Sequence, residues 1–339
     1  MSAAAPHLSV PGRYSRVFLC ALIAVSLLPA LISLIHFEML NAGWYTVTLL
    51  WSFLVFLGGA HVWITLAYYG DLRWLSQFRQ HPWIFFAAPI AIVAACVALM
   101  FQHNEALGLA LVYSTVVLNL WHHGKQNWGI LALVGKNRKV DVRNMRFALV
   151  YAWPFFIPAV TLYFADASTF VDAEVLRSLA YACAAAYVVF AASTLWRNQS
   201  ALEKDSLVLL FCVALCIYFV PLIALNGKPY ALFFFGGAHA MQYYLLVLVS
   251  LSMKSWRSVE LKTTGLAFVL AFLAVAGTSY AAYEILQGYG PPSLWESTSV
   301  RLVVGLVTGV NLVHFWLDAF IWKMSDRAIR ELHGDAFAF

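Results

Sequence analysis

The sequence predicts an all-α, polytopic integral membrane helical bundle of about ten transmembrane helices, one domain over 1–339 with N and C termini cytoplasmic. Three observations predict it. The chain is 63% apolar and only 11% charged, where soluble domains carry about 25% charge. Apolar runs of about 20 residues, each long enough to cross a hydrocarbon core of roughly 30 Å, recur from end to end. Basic residues gather in alternate loops, as they do on the cytoplasmic side of a membrane.

Hydropathy places the spans at 17–35, 44–70, 84–102, 106–134, 147–165, 175–196, 206–225, 230–253, 263–284 and 299–322. Arg13 and Arg16 precede the first run, and no small-x-small cleavage site follows it, so it reads as a span rather than a removable leader. All but four of the 21 lysines and arginines fall in the two termini and in 71–82, 135–146, 197–205 and 254–262. The exceptions are Lys125 within a span and Arg177, Lys228 and Arg301 in the alternate loops, which carry Glu38, Glu105, Asp166, Asp172, Glu174, Glu284 and Glu296. This asymmetry sets both ends in the cytoplasm, in a plasma membrane such as the bacterial inner membrane, and makes the net charge of +5 a topology signal rather than one for nucleic acid. Cys20, Cys96, Cys183, Cys212 and Cys216 all lie in apolar runs without a Cys-x-x-Cys pair and read as packing residues.

Within this frame the spans numbered two, four, eight and ten, all running in one direction, carry His61, His122 with His123, His239 and His314. A rise of about 1.5 Å per residue puts them roughly 15, 21, 22 and 13 Å above the inner boundary, near mid-membrane. Ionisable residues there are rare and mark functional sites. Each has a polar companion one turn on: Thr65, Gln126, Tyr243 and Asp318. Metal-bound histidines have their second nitrogen engaged in this way. The expected ligands are His61, His122, His239 and His314. Thr65, Asn119, Gln126, Gln242 and Asn311 are expected to support them, and Tyr243, Asp318 and His123 are candidates for the chemistry.

Each segment also has a plainer reading. His61 and Thr65 form a structural hydrogen bond, and Asp318 pairs with Lys323 or Lys125. Lys125 serves as a counter-charge for Asp71 or Asp318. The stretch Asn119-Leu120-Trp121-His122-His123-Gly124-Lys125-Gln126-Asn127 is the most polar inside any span, which a bilayer tolerates only in the bundle interior or along a cavity. Adjacent histidines diverge by about 100° on a helix, so one of His122 and His123 faces the shared centre. The other is left for a substrate group or a second metal.

Imidazoles with a carboxylate and no thiolate suit Fe(II), Zn or Cu(II). With 16% aromatic residues around a buried centre, the expectation is an iron-dependent oxygenase or desaturase. Its partners are membrane lipids, O2 and a lipophilic lipid, isoprenoid or carotenoid substrate. Two other readings stay open. Pairs of histidines clamp a haem for electron transfer or quinone chemistry, or the midplane polar residues form a transporter site. No Gly-rich phosphate loop, His-Glu-x-x-His helix or Gly-x-Ser-x-Gly elbow occurs.

The order Gly58-x-x-His61, His122-His123, Gly236-x-x-His239-x3-Tyr243 and His314-x3-Asp318 resembles the Brp/Blh family of membrane β-carotene 15,15′-dioxygenases. The resemblance covers these four short segments. Ala60 and Val62 flank His61 where that family has Pro and Gly, and Tyr243 stands in the second place of its His-x3-His. The resemblance implies a histidine metal centre in a helical bundle and an apolar substrate.

Overall fold

The computed structural model describes residues 12–35, 61–62, 65, 67–102, 104–165, 172–224, 230–255, 298–323 and 325–333. All regular structure among them is helical. The elements are α1 (Gly12–Ile35), α2 (Ala67–Gly70), α3 (Leu72–Gln80) and α4 (Ala88–Met100), the last entered through a π-helical turn at Trp83–Ala87. Then come α5 (Glu105–Arg138), α6 (Met145–Val150), α7 (Trp153–Ala165), α8 (Ala173–Arg197), α9 (Gln199–Leu202), α10 (Ser206–Ile217) and α11 (Val220–Ala224). The last three are α12 (Tyr230–Ser255), α13 (Thr298–Ile321) and α14 (Arg327–His333).

Among the described residues, six stretches are long and apolar enough to cross a membrane: Arg16–Leu34, Trp83–Met100, Met145–Leu162, Ala173–Arg197, Ser206–Ala224 and Arg301–Ile321. α5 and α12, of 34 and 26 residues, are as long but carry the polar histidine segments. The expected span 263–284 and most of 44–70 lie outside the described residues.

Two expected spans are not single helices. The run 147–165 divides into α6 and α7 at Tyr151 and Ala152, and 206–225 divides at Tyr218 and Phe219. Pro154 and Pro221 sit at the second position of α7 and α11. Proline has no N–H and clashes with the preceding turn, but is tolerated in the first turn of a new helix.

Helix ends follow their local chemistry. Asn104 caps α5 by accepting from the Leu107 amide, and Asp172 caps α8 through Glu174 N at 2.7 Å. Lys139 ends α5 in the left-handed region at φ 56°. Asp205 caps α10 and also accepts from Arg138 Nε at 2.5 Å, tying the end of α5 to the start of α10. Arg138's hydrogen bond and charge, with the backbone amides of the cap, hold the Asp205 carboxyl below its ordinary range despite burial, which acts in the opposite sense. Asp71 caps α3 in the same style, its carboxyl lowered by hydrogen bonds and charge from Arg73 against the opposing effect of burial.

Small residues set the closest helix contacts. A Cβ added at Gly309 would stand 2.8 Å from Val93 Cα, and one at Gly305 2.9 Å from Val97 Cα. This Gly-x3-Gly face lets α13 lie directly on the backbone of α4, a packing mode suited to membranes where close van der Waals contact replaces hydrophobic drive. Gly124 plays the same part on α5, against the carbonyl of Leu149 on α6. α1 packs on α12 and α10, and α7 on α8. Across one end lie α3 and α14. Trp74 and Phe78 of α3 point inward, and His333 of α14 hydrogen-bonds the Ile321 carbonyl at 2.8 Å.

Candidate metal centre

α5 supplies His122 and His123, α12 supplies His239 and Tyr243, and α13 supplies His314 and Asp318. His61 and Thr65 come from the segment before α2. All eight side chains are buried.

Four imidazoles form a ring. The centroid separations run 4.7 Å from His61 to His239, 5.0 Å from His239 to His122, 5.2 Å from His122 to His314 and 4.9 Å from His314 to His61. Across the ring His239 and His314 are 6.0 Å apart. Nearly every adjacent pair meets edge to face, with interplanar angles of 71–90°. Asp318 closes one side, its Oδ2 lying 3.5 Å from His122 Nε2 and 3.6 Å from His314 Nε2. Those two nitrogens make no hydrogen bond, nor does either nitrogen of His239. Four donors placed tetrahedrally around an ion at about 2.1 Å stand about 3.4 Å apart, so the nitrogens and the carboxylate oxygen already have the spacing of co-ligands. Among the described residues two triads bring their ligand atoms within 4.8 Å of one another: His61 with His239 and His314, and His122 with His314 and Asp318.

A hydrogen-bonded chain orients this side of the ring. His314 Nδ1 lies 3.1 Å from Thr65 Oγ1, which lies 2.9 Å from Tyr243 Oη, and Tyr243 donates to Asp318 Oδ1 at 2.7 Å. With Nδ1–H donating to Thr65 and the Thr65 hydroxyl donating to Tyr243, each group has one direction and His314 Nε2 is left as a lone pair facing the centre. Trp322 Nε1 also donates to Tyr243 Oη, at 3.4 Å.

His123 turns away from the ring. It stacks on His239 at 3.9 Å and 13°, and its Nδ1 lies 3.0 Å from Tyr218 Oη. Tyr218 donates to the Phe235 carbonyl, so it accepts from His123. The free side of His123 lines a small pocket with Val116, Asn119, Leu120, Phe235 and Gly236.

Several companions behave otherwise than their spacing implies. Thr65 serves His314 and Tyr243 rather than His61 alone. Gln242 faces α1 and donates to Ser26 Oγ at 2.8 Å, away from the ring, because a helix turns 100° per residue and His239 already takes the inward direction. Gln126 Nε2 is buried without a hydrogen bond. Asn311 is half-buried on α13 and bonds to no ligand. Lys125 is not a counter-charge for Asp318 or Asp71. It is exposed and lies 5.1 Å over the Trp121 ring, while Asp71 pairs with Arg73.

Three contributors escaped the sequence reading and a fourth was seen without a role. Tyr218, Trp322 and Phe315, whose ring lies 4.5 Å from that of His122, come from apolar runs where nothing in the local spacing sets them apart. Asn127 was visible as part of the polar stretch on α5. It is fully buried with neither amide atom hydrogen-bonded.

No protein-family model matches this chain, and no curated protein or solved structure is significantly similar to it.

Proposed function

We propose that the protein is a membrane-embedded metalloprotein in which His61, His122, His239, His314 and Asp318 hold a redox-active transition ion, Fe(II) first among the choices, and that it oxidises a lipophilic substrate. The observation that carries this reading is the buried ring of four imidazoles with two hydrogen-bond-free Nε2 atoms and a carboxylate at co-ligand spacing. Buried polar atoms in a folded interior are normally satisfied, and unsatisfied imidazole nitrogens lying in two triads that share His314 call for a cation.

The donor set suits Fe(II), Zn or Cu(II), and the oxidative reading takes iron first among them. Nitrogen and carboxylate ligands without thiolate exclude the soft sites of Cu(I) and iron–sulfur clusters. The absence of any gap between adjacent rings favours a bare ion over haem, whose macrocycle needs the space between two facing imidazoles. These residues would hold the ion, and a bound redox-active ion would supply the activation of O2 for oxidation of the substrate. The chain's own residues do the rest. Tyr243 and Thr65 fix His314 and Asp318, His123 presents a polar edge to the adjoining pocket, and the apolar helices exclude water. The segment order that resembles the membrane carotenoid dioxygenases supports the same class of substrate. The loop charges support ten spans with both termini cytoplasmic, in a bacterial inner membrane.

The test is elemental analysis with optical and electron paramagnetic resonance spectra of the detergent-purified chain. About one equivalent of iron, lost in His122→Ala, is expected. Protein free of transition metal after expression in iron-replete medium and after anaerobic Fe(II) addition overturns the reading. A Soret band would replace it with haem.

A further inference from the structure

We infer that Trp322 and Trp74, bridged by His333 and Tyr68, form an electron relay between the metal centre and the face of the protein covered by α3 and α14. This inference rests on the redox-metal reading above.

The relay begins at a ligand. Asp318 Oδ1 accepts from Tyr243 Oη at 2.7 Å, and Tyr243 Oη accepts from Trp322 Nε1 at 3.4 Å. The Tyr243 and Trp322 rings are 5.9 Å apart. From Trp322 two contacts lead on: the His333 ring stacks on it at 4.7 Å and 19°, and Tyr68 meets it at 6.2 Å. Both bridges end on Trp74, at 5.0 Å from His333 and 4.7 Å from Tyr68. Trp74 adjoins Arg73, whose side chain is 38% exposed.

Continuity of oxidisable rings separates this path from ordinary aromatic packing. In the other large aromatic cluster, beside His123, Phe155, Phe156, Phe219 and Phe235 predominate, and its two buried tyrosines, Tyr187 and Tyr218, are separated by Phe219. Phenylalanine fills space equally well but cannot be oxidised at accessible potentials. The path from Asp318 is made instead of the side chains that can, two indoles and two phenols, with an imidazole wedged between the indoles. Tyr68, Tyr243 and Trp74 are almost fully buried, so water does not quench a transient radical on them.

The step balances as a pure electron transfer. A one-electron donor acting at the α3–α14 face loses one electron and the bound metal ion gains one. Trp74 and Trp322 are each oxidised and refilled in passing, and no bond is made or broken.

The experiment uses the full chain in lipid nanodiscs. In the iron-loaded, ferric form, reduction by reduced methyl viologen is followed by stopped flow. Compared at equal iron loading, Trp322→Phe is expected to be reduced about an order of magnitude more slowly than the parent, and Trp322→Tyr to recover most of the rate. Trp74→Phe should also be slow. An unchanged rate in Trp322→Phe with full iron overturns the relay. A metal-free measurement separates this failure from that of the metal reading. Flash-quench oxidation of metal-free protein, with ruthenium trisbipyridine as sensitiser and hexaammineruthenium(III) as electron acceptor, should give a tyrosyl radical signal, the phenol proton passing to Asp318, that Tyr243→Phe removes and Trp322→Phe suppresses. A signal indifferent to Trp322→Phe sinks the relay, whereas absence of bound iron in the parent sinks only the metal reading.

Discussion

His314 and Asp318, one turn apart on α13, are linked twice. Directly, Nε2 and Oδ2 face each other at 3.6 Å, too far for a hydrogen bond. Indirectly, Nδ1 and Oδ1 are joined through Thr65 and Tyr243 by contacts of 3.1, 2.9 and 2.7 Å. The outer atoms of both groups are held, so the inner atoms are presented together. Were the pair merely structural, the short path would be the bonded one.

Removing the carboxylate should therefore weaken metal binding more than it weakens the fold. Asp318→Asn keeps the shape and a carbonyl oxygen but loses the charge, and is expected to bind Fe(II) less tightly than the parent while eluting as the same monodisperse species. His314→Ala should lose the metal entirely. Iron-to-protein ratios after desalting decide it, and full iron retention in both variants would remove the centre from this location.

Tyr243→Phe tests the outer chain. It deletes the hydroxyl that holds Asp318 and receives Thr65, without touching a ligand atom. Loss of such a support typically costs 10–100-fold in metal affinity or activity. The expected result is metal bound at saturation, with an affinity lowered by about that factor in a competitive chelator titration. Thr65→Val should act in the same direction, because it severs the other end of the same chain. An affinity equal to that of the parent in both variants would show that the chain has no hold on the centre.

Helix spacing should be intolerant at two glycines. Gly309→Ala puts a methyl group 2.8 Å from Val93 Cα, which only a shift of α13 against α4 can relieve. Gly124→Ala meets the backbone carbonyl of Leu149. Overpacking of this kind costs about 1–3 kcal/mol, so both variants should unfold at lower temperature than the parent. Gly236→Ala is the control, since a Cβ there meets nothing within 4 Å and should leave the melting temperature unchanged.

How far the centre could be read from the chain depended on range. The helical class followed from apolar run length, and the convergence of His61, His122, His239 and His314 followed from counting residues to the nearest charged loop. Asp318 was legible as a buried carboxylate one turn from His314, but its spacing alone left it open between a part in the site and an ion pair with Lys323 or Lys125. The breaks at Pro154 and Pro221 were missed because hydropathy does not register a two-residue interruption in an apolar run. The roles of Thr65 and Gln242 were missed for a different reason. An i+4 companion shares a face with its histidine, but whether the side chain bonds along its own helix or across to another depends on the neighbour, which one helix cannot specify. The contacts of Tyr218 with His123 and of Trp322 with Tyr243 span more than seventy residues and left no local trace.

The docking of α14 should be acid-sensitive. His333 is enclosed by Trp74, Tyr68 and Trp322 and hydrogen-bonds the Ile321 carbonyl through Nε2, which the neutral ring does through its single N–H. Burial lowers its pKa to about 4, the bond to Ile321 acting weakly in the opposite sense. Of the acids on and beside α3 and α14, Asp71 pairs with Arg73, Glu331 pairs with Arg327, and Asp326 accepts from the Ala328 and Ile329 amides, while Arg79, Lys323 and Arg330 are cations. The folded pKa lies below the unfolded value of about 6.5, so the contribution to stability is complete above pH 6.5. It is lost as pH falls toward 4, and the difference amounts to about 3 kcal/mol when fully expressed. Tryptophan fluorescence of the parent should therefore shift between pH 6.5 and 4 as Trp74 and Trp322 lose their cover, and hydrogen exchange over 327–333 should accelerate in the same window. His333→Phe keeps an aromatic ring between the indoles but has no proton to gain. Its fluorescence should stay flat across that range, and a transition with the parent's midpoint in this variant would place the acid sensitivity elsewhere.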